Sequence, residues 1–286
     1  MATEGFEITK SETILYEKKD QIAYITLNRQ ERMNALGREL GQARARALKD
    51  ASEDPDILVI IFSGAGGRAF SAGADLREGA EAYYEGRLPE DRRPEEAEVR
   101  FGETDCPKPI IAAIDGYALG GGLELATRCD IRVATESSRL GMPEVRRGRT
   151  SGSGVLMLSR MIPLGEAKWL QFTGSHMTAE RAYQIGLIQA IAPDRAGMWD
   201  AAHQIANDIK LGAPLTMESV KRIIDIGRYI PPEYAAAYKK QEDVFISKTE
   251  DIREGVTAFA EKRQPVWKLS LIHISEPTRP RLISYA

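Results

Sequence analysis

Cysteine is nearly absent from this chain. Cys106 and Cys129 are the only two in 286 residues, and they make no CxxC pair. A disulfide framework or a cysteine zinc site is therefore not expected, and both are read as buried thiols. Histidine is equally scarce, and His176 and His203 stand alone in helical or turn context, which suits packing or surface roles. No window approaches the roughly 18 uninterrupted apolar residues of a membrane-spanning helix. The opening MATEGFEITKSE lacks the basic and then apolar regions of a secretory signal, so a cytoplasmic protein without a membrane partner is expected. There is no surplus of positive charge either. Lys and Arg number 39 against 42 Asp and Glu, a net charge of -3, which gives no broad attraction for a phosphate backbone. Nucleic acid is not an expected partner, although a local basic patch could still hold an anionic ligand.

What is present is the composition of a globular protein, 43% hydrophobic and 28% charged, in a chain long enough to bury a full core. Apolar patterning predicts strands at residues 14–16 and 22–27, and buried strands at 57–62, 110–114 and 131–134. Between the second and third, Leu36, Leu40, Ala43, Ala47 and Leu48 recur at helical spacing until Pro55 ends the stretch. Strand and helix alternate, which predicts an α/β core. From Gly165 onward the pattern reads as helical, with no strand-rich segment returning. Val220, Ile223, Ile224 and Gly227 share one helical face there, as do Ile252, Val256 and Phe259. Residues 78–105 are charged and least regular, and read as a mobile helix and loop. The segment LSLIHISEPTR at residues 269–279 looks like the translation of a sequencing-library adapter, so residues 269–286 are expected to contribute nothing to the fold.

Three segments carry the candidate chemistry, each following an apolar strand. In AFSAGAD, residues 69–75, Gly73 permits a sharp turn, the amide of Ala74 can then face a cleft, and Asp75 can cap the next helix. In DGYALGGGLE, residues 115–124, Gly120, Gly121 and Gly122 bare backbone amides at a helix start, where unpaired N–H groups and the helix dipole favour an anion. Glu124 falls in the first turn of that helix. In GMPEVRRGRTSGSG, residues 141–154, Pro143 restricts the backbone beside Glu144, and Gly152, Ser153 and Gly154 lead tightly into a helix over 155–162. Arg146, Arg147 and Arg149 read as a solvated face, or as one contact for a ligand phosphate.

Together, in this order, these segments resemble the crotonase (enoyl-CoA hydratase/isomerase) superfamily. The match takes in NRQERMNAL at residues 28–36 and EGVTAFAEKRQPVWK at 254–268. The resemblance implies an α/β fold, a spiral of strand-strand-helix turns over residues 1–211. A helical oligomerisation region over 212–268 would build a homotrimer or a dimer of trimers. It implies an acyl-CoA thioester substrate and no separate cofactor, since the substrate carries the coenzyme A. It places the thioester oxygen on the amides of Ala74 and Gly121 and the acid/base work on Glu124 and Glu144. Ala72, Asp75, Gly120 and Gly152 join the substrate-contacting set, with Phe259, Lys262 and Trp267 from a terminal helix. The chemistry needs no metal. Where many straight-chain hydratases have a proline and a run of small residues after the second Glu, this chain has Arg149, Thr150, Ser151 and Gly152, so the acyl chain is left open.

Rival readings persist at this level. Gly64, Gly66 and Ala69 spell the GxGxxA of a dinucleotide site, but run into Phe70 and a second glycine turn rather than a helix. A non-catalytic module for CoA or RNA on the same scaffold is another. Within the superfamily, a double-bond isomerase needs the oxyanion amides but only one carboxylate, and a carnitinyl-type hydratase/dehydratase is also open.

Overall fold

The computed structural model describes residues 12–84, 102–268 and Ser270. Most of the segment predicted as a mobile loop (85–101), and all of the adapter-like tail except Ser270, lie outside the described residues. The chain divides into two compact units between Lys210 and Leu211.

The first unit opens with a hairpin. β1 (Ile14–Lys19) and β2 (Ile22–Leu27) pair antiparallel, and Asp20 and Gln21 turn with φ of 51° and 65°, the left-handed geometry that matches strand twist in a two-residue hairpin loop. β1 runs three residues past its predicted end because ladder bonds to β2 hold Glu17, Lys18 and Lys19 despite their polarity. Then follow α1 (Arg38–Glu53), β3 (Val59–Gly64), β4 (Ala69–Ser71) and α2 (Leu76–Tyr84). After these come β5 (Ile110–Ile114), β6 (Tyr117–Leu119) and α3 (Gly121–Arg128). Next are β7 (Ile131–Thr135), β8 (Arg139–Gly141), a short 3-10 turn (Pro143–Arg147) and α4 (Gly154–Met161). The unit finishes with α5 (Leu164–Thr173), β9 (His176–Thr178), α6 (Ala179–Gln184), β10 (Ala190–Ala192) and α7 (Arg195–Lys210).

The six-stranded sheet has the order β1-β2-β3-β5-β7-β10, parallel from β2 onward. Both faces are covered, as a parallel sheet requires. Leu40, Ala43, Ala47 and Leu48 of α1 share a core with Ile25, Leu27, Ile60 and Phe62. Met198, Ala202 and Ala206 of α7 pack with Val59, Ile61, Ile111 and Val133. A second sheet, β4-β6-β8-β9, collects the short strands. Three times a long strand enters the first sheet, a short one enters the second, and a helix follows: β3-β4-α2, β5-β6-α3 and β7-β8-α4. This is the expected spiral. β4, β6 and β8 are parallel neighbours, so their C-terminal ends gather along one edge.

The expectation that no strands return after Gly165 is corrected. β9 pairs antiparallel with β8 and β10 parallel with β7, each over three residues, too few to show a period of two. The dinucleotide reading also fails here: Gly64 ends β3, Gly66 and Gly67 turn with φ of 85° and 70°, and Ala69 opens a strand rather than a helix. Both cysteines are buried and unbridged. His203 stacks on Trp199 and meets the Tyr24 hydroxyl at 3.2 Å, a packing role.

The second unit holds α8 (Pro214–Gly227), α9 (Pro232–Ile246) and α10 (Glu250–Glu261). Arg222 and Ser219 of α8 both reach Glu242 of α9, at 2.8 and 2.6 Å. The Ser270 carbonyl accepts the Glu250 N–H at the start of α10, so a chain cut after Lys268 loses a bond that one cut after Ser270 keeps. No helix among the described residues is long and apolar enough to cross a membrane.

Candidate active site

The three motif segments occupy equivalent places in successive turns of the spiral, just beyond β4, β6 and β8. Hydrogen bonds then tie them to one another. Gly73 turns with φ +93°, and a Cβ there would stand 2.6 Å from the Leu119 carbonyl oxygen and 3.1 Å from the Gly121 nitrogen. Only glycine allows the first loop to lie so close to the second. A Cβ on Gly121 would in turn be 3.5 Å from the Ala74 nitrogen. Ala74 is exposed and Gly121 half-buried. Neither amide has a hydrogen-bond partner among the described residues. Two unpaired donors from adjacent loops are thus available to one oxygen.

The first loop is held from behind by Asn34, which is fully buried and adopts φ +54°. Its amide donates to the carbonyls of Ala65 and Ala69 at 3.1 and 2.7 Å and accepts the Arg29 N–H at 2.9 Å, so the side chain is fully used. The Asn34 carbonyl accepts the Ser71 hydroxyl, Ala72 N–H donates to Met33, and Leu36 N–H donates to Gly73 at 2.7 Å. Ala72 and its neighbours therefore sit in a bonded cradle. Asp75 accepts the N–H groups of Arg77 and Glu78 as the predicted cap of α2 and pairs with Arg29 at 2.9 Å. Burial opposes its charge, yet Arg29 and those amides hold Asp75 below the usual carboxylate range.

The two glutamates come from the next turns. Glu124 is buried on α3, and its Oε1 accepts the Gly154 N–H at 3.0 Å where α4 begins. A Cβ on Gly152 would be 3.1 Å from the Glu124 Oε2, so that glycine leaves room at the carboxylate. Glu144 stands on the 3-10 turn with its Oε1 against Gly120, 2.7 Å from where a Cβ would be. Its Oε2 is buried with no hydrogen-bond partner among the described residues. Burial pushes the Glu144 carboxyl above the usual range; its own backbone N–H works against this, and the nearby charge of Glu124 adds to it. The N–H of Gly120 donates to the Gly141 carbonyl at 2.8 Å, locking the second segment to the third.

The structure thus brings Ala74, Gly120, Gly121, Glu124, Glu144 and Gly152 together. Phe259 and Lys262 belong to the second unit, where both are exposed at the end of α10. Arg146 is tied to the Thr173 carbonyl and the Ser175 hydroxyl, at 2.7 and 3.1 Å. Sequence reasoning did not single out Asn34, although it lies in the NRQERMNAL segment, nor Arg128, whose one signal was a cation four residues after Glu124.

Comparison with known proteins places the whole fold among relatives. A family model described as enoyl-CoA hydratase/isomerase matches residues 17–270. The chain is 35% identical over 262 residues to the short-chain-enoyl-CoA hydratase of Clostridium acetobutylicum, covering 88% of this chain and 95% of that protein. It is 33% identical over 261 residues to the (E)-benzylidenesuccinyl-CoA hydratase of Thauera aromatica, covering 89% and 98%. The crystal structure of enoyl-CoA hydratase from Mycobacterium tuberculosis H37Rv superposes with a TM-score of 0.81 at 36% identity, covering 90% of this chain and 99% of that one.

Proposed function

Since this chain belongs to the enoyl-CoA hydratase/isomerase family of the crotonase superfamily, we propose that it adds water reversibly across the C2=C3 double bond of a trans-2-enoyl-CoA. The observation that carries this reading is the pairing of two unpartnered amides, Ala74 and Gly121, with two carboxyl groups on separate elements. Addition of water at C3 of a thioester builds enolate charge on the thioester oxygen. Two fixed donors stabilise that charge where it develops, each by about 3 kcal/mol.

The water must lose a proton as its oxygen bonds to C3, and C2 must gain one. Glu124, with Oε1 fixed by Gly154, orients the water and takes its proton. Glu144, half-buried and with its carboxyl pushed above the usual range by burial, delivers a proton to C2. The reaction uses no cofactor beyond the coenzyme A of the substrate. The test is a panel of enoyl-CoA thioesters of varied chain length and branching, with products identified by mass. A product heavier by one water supports the reading. Isomerised product alone, or no turnover across the panel, would overturn it.

The same proposal has the protein acting in the cytoplasm as a homotrimer or a dimer of trimers. Large apolar side chains stand in solvent on the second unit, Ile224 at 59%, Val256 at 68% and Phe259 at 87% exposure, more than isolated helices of a monomer normally show. Light scattering at micromolar concentration is expected to give three or six times the 31.7 kDa chain mass. A monomeric mass would refute the oligomer.

A further inference from the structure

We infer that Arg128 is a positioning residue for Glu124, an inference that rests on Glu124 being the carboxylate that handles the water. Arg128 sits one helical turn after Glu124 on α3, with its guanidinium Nη2 3.7 Å from the Glu124 Oε2. The same nitrogen donates to the Ser153 hydroxyl at 2.9 Å. Its Nη1 lies 3.8 Å from the Oε2 of Glu103, and Glu103, almost fully buried, is ion-paired through its other oxygen to Arg44 of α1. Four charges therefore alternate in sign from α1 to the site: Arg44, Glu103, Arg128 and Glu124.

This arrangement does two things for Glu124. The Gly154 N–H fixes Oε1 but alone leaves the carboxylate free to rock about that bond. Arg128 supplies the second hold, and it is itself held by Ser153, the neighbour of Gly154, so both restraints on the carboxylate are rooted in the same two residues. The distance of 3.7 Å is too long for a hydrogen bond. The cation thus attracts Oε2 without occupying it, which leaves that oxygen able to accept from a water. Glu103 and Arg44 keep the guanidinium from folding fully onto Glu124. They also make its position a property of the core rather than of a solvent-facing side chain.

A double-mutant cycle tests this. Arg128→Met is expected to lower kcat for enoyl-CoA hydration by about tenfold, less than the roughly hundredfold that a misplaced group can cost because Gly154 still holds Oε1, with KM moved less than about twofold. In an Glu124→Gln background the same change should add no further loss, because a positioning residue has nothing left to position. Arg128→Lys, which keeps the charge, should recover most of the activity. If Arg128→Met fails to fold, Arg128→Gln, which keeps a donor for Ser153, carries the same cycle. Equal losses in both backgrounds, or an unchanged kcat in the Met variant, would overturn the inference while leaving the hydratase reading intact. Full turnover by Glu124→Gln alone would instead remove the assignment of the water to Glu124, and this inference with it, while the hydratase activity itself would stand.

Discussion

Replacing Glu124 or Glu144 with glutamine is expected to lower the rate of hydration by at least about a hundredfold in each case, with thioester binding retained. Glutamine keeps the shape of the side chain. At position 124 its amide oxygen can still accept from Gly154, so α3 and α4 stay joined, but it cannot take a proton from water. At position 144 the amide fits against Gly120, and it has no acidic proton to give to C2. Turnover is measured with a competent thioester, and binding by titration with a saturated analogue. Two large losses with unchanged binding are the signature of a shared acid/base task. If only Glu144→Gln lost activity, the chain would be better described as an isomerase, and full turnover in Glu124→Gln would overturn the mechanism without touching the fold.

The second large effect is expected at a residue with no functional group. Gly73→Ala should lower kcat by about a hundredfold to a thousandfold, the range associated with losing an oxyanion donor. The residue has φ +93°, and its new methyl would sit 2.6 Å from the Leu119 carbonyl oxygen. The loop must move away from Gly121 to make room, and the Ala74 amide moves with it. Backbone strain at such a position costs about 1–3 kcal/mol, so the melting temperature should fall as well. Gly165→Ala provides the control, since a methyl there meets nothing within 4 Å and should leave both rate and melting temperature close to the parent. Parent-like kcat in Gly73→Ala would remove the two-amide account of the site.

Much of this arrangement could be read from the amino-acid sequence, and the reasons are particular. β2 and β5 have the predicted bounds because apolar residues recur on the buried side of the first and the second is an unbroken apolar run. The predicted third strand begins two residues early, since Ile57 and Leu58 are apolar and buried yet lie on the approach to β3. The second sheet was not legible at all. β4, β6, β8 and β9 are three residues long, as is β10 at the edge of the first sheet, and their pairing is decided by the spiral rather than by local preference. The site was legible where it depends on glycine and on charge beside glycine, as in AGAD and GGGLE. It was not legible in Asn34 or in the Arg44, Glu103 and Arg128 chain, whose members are brought together only by packing between distant segments.

The crossovers of the main sheet also govern how the protein comes into being. Ile22 pairs with Val59, Ile60 with Ile110 and Val133 with Ala190, so each parallel contact must wait for a long connection to close before any ladder bond rewards it. On a ribosome, Glu124 emerges thirty residues ahead of Gly154, a backbone donor to its carboxylate, and sixty-six ahead of Ala190, which starts the last strand of the sheet. A nascent chain that ends before Gly154 has its first carboxylate made but not yet held. A fragment ending before α4 should therefore carry no catalytic competence.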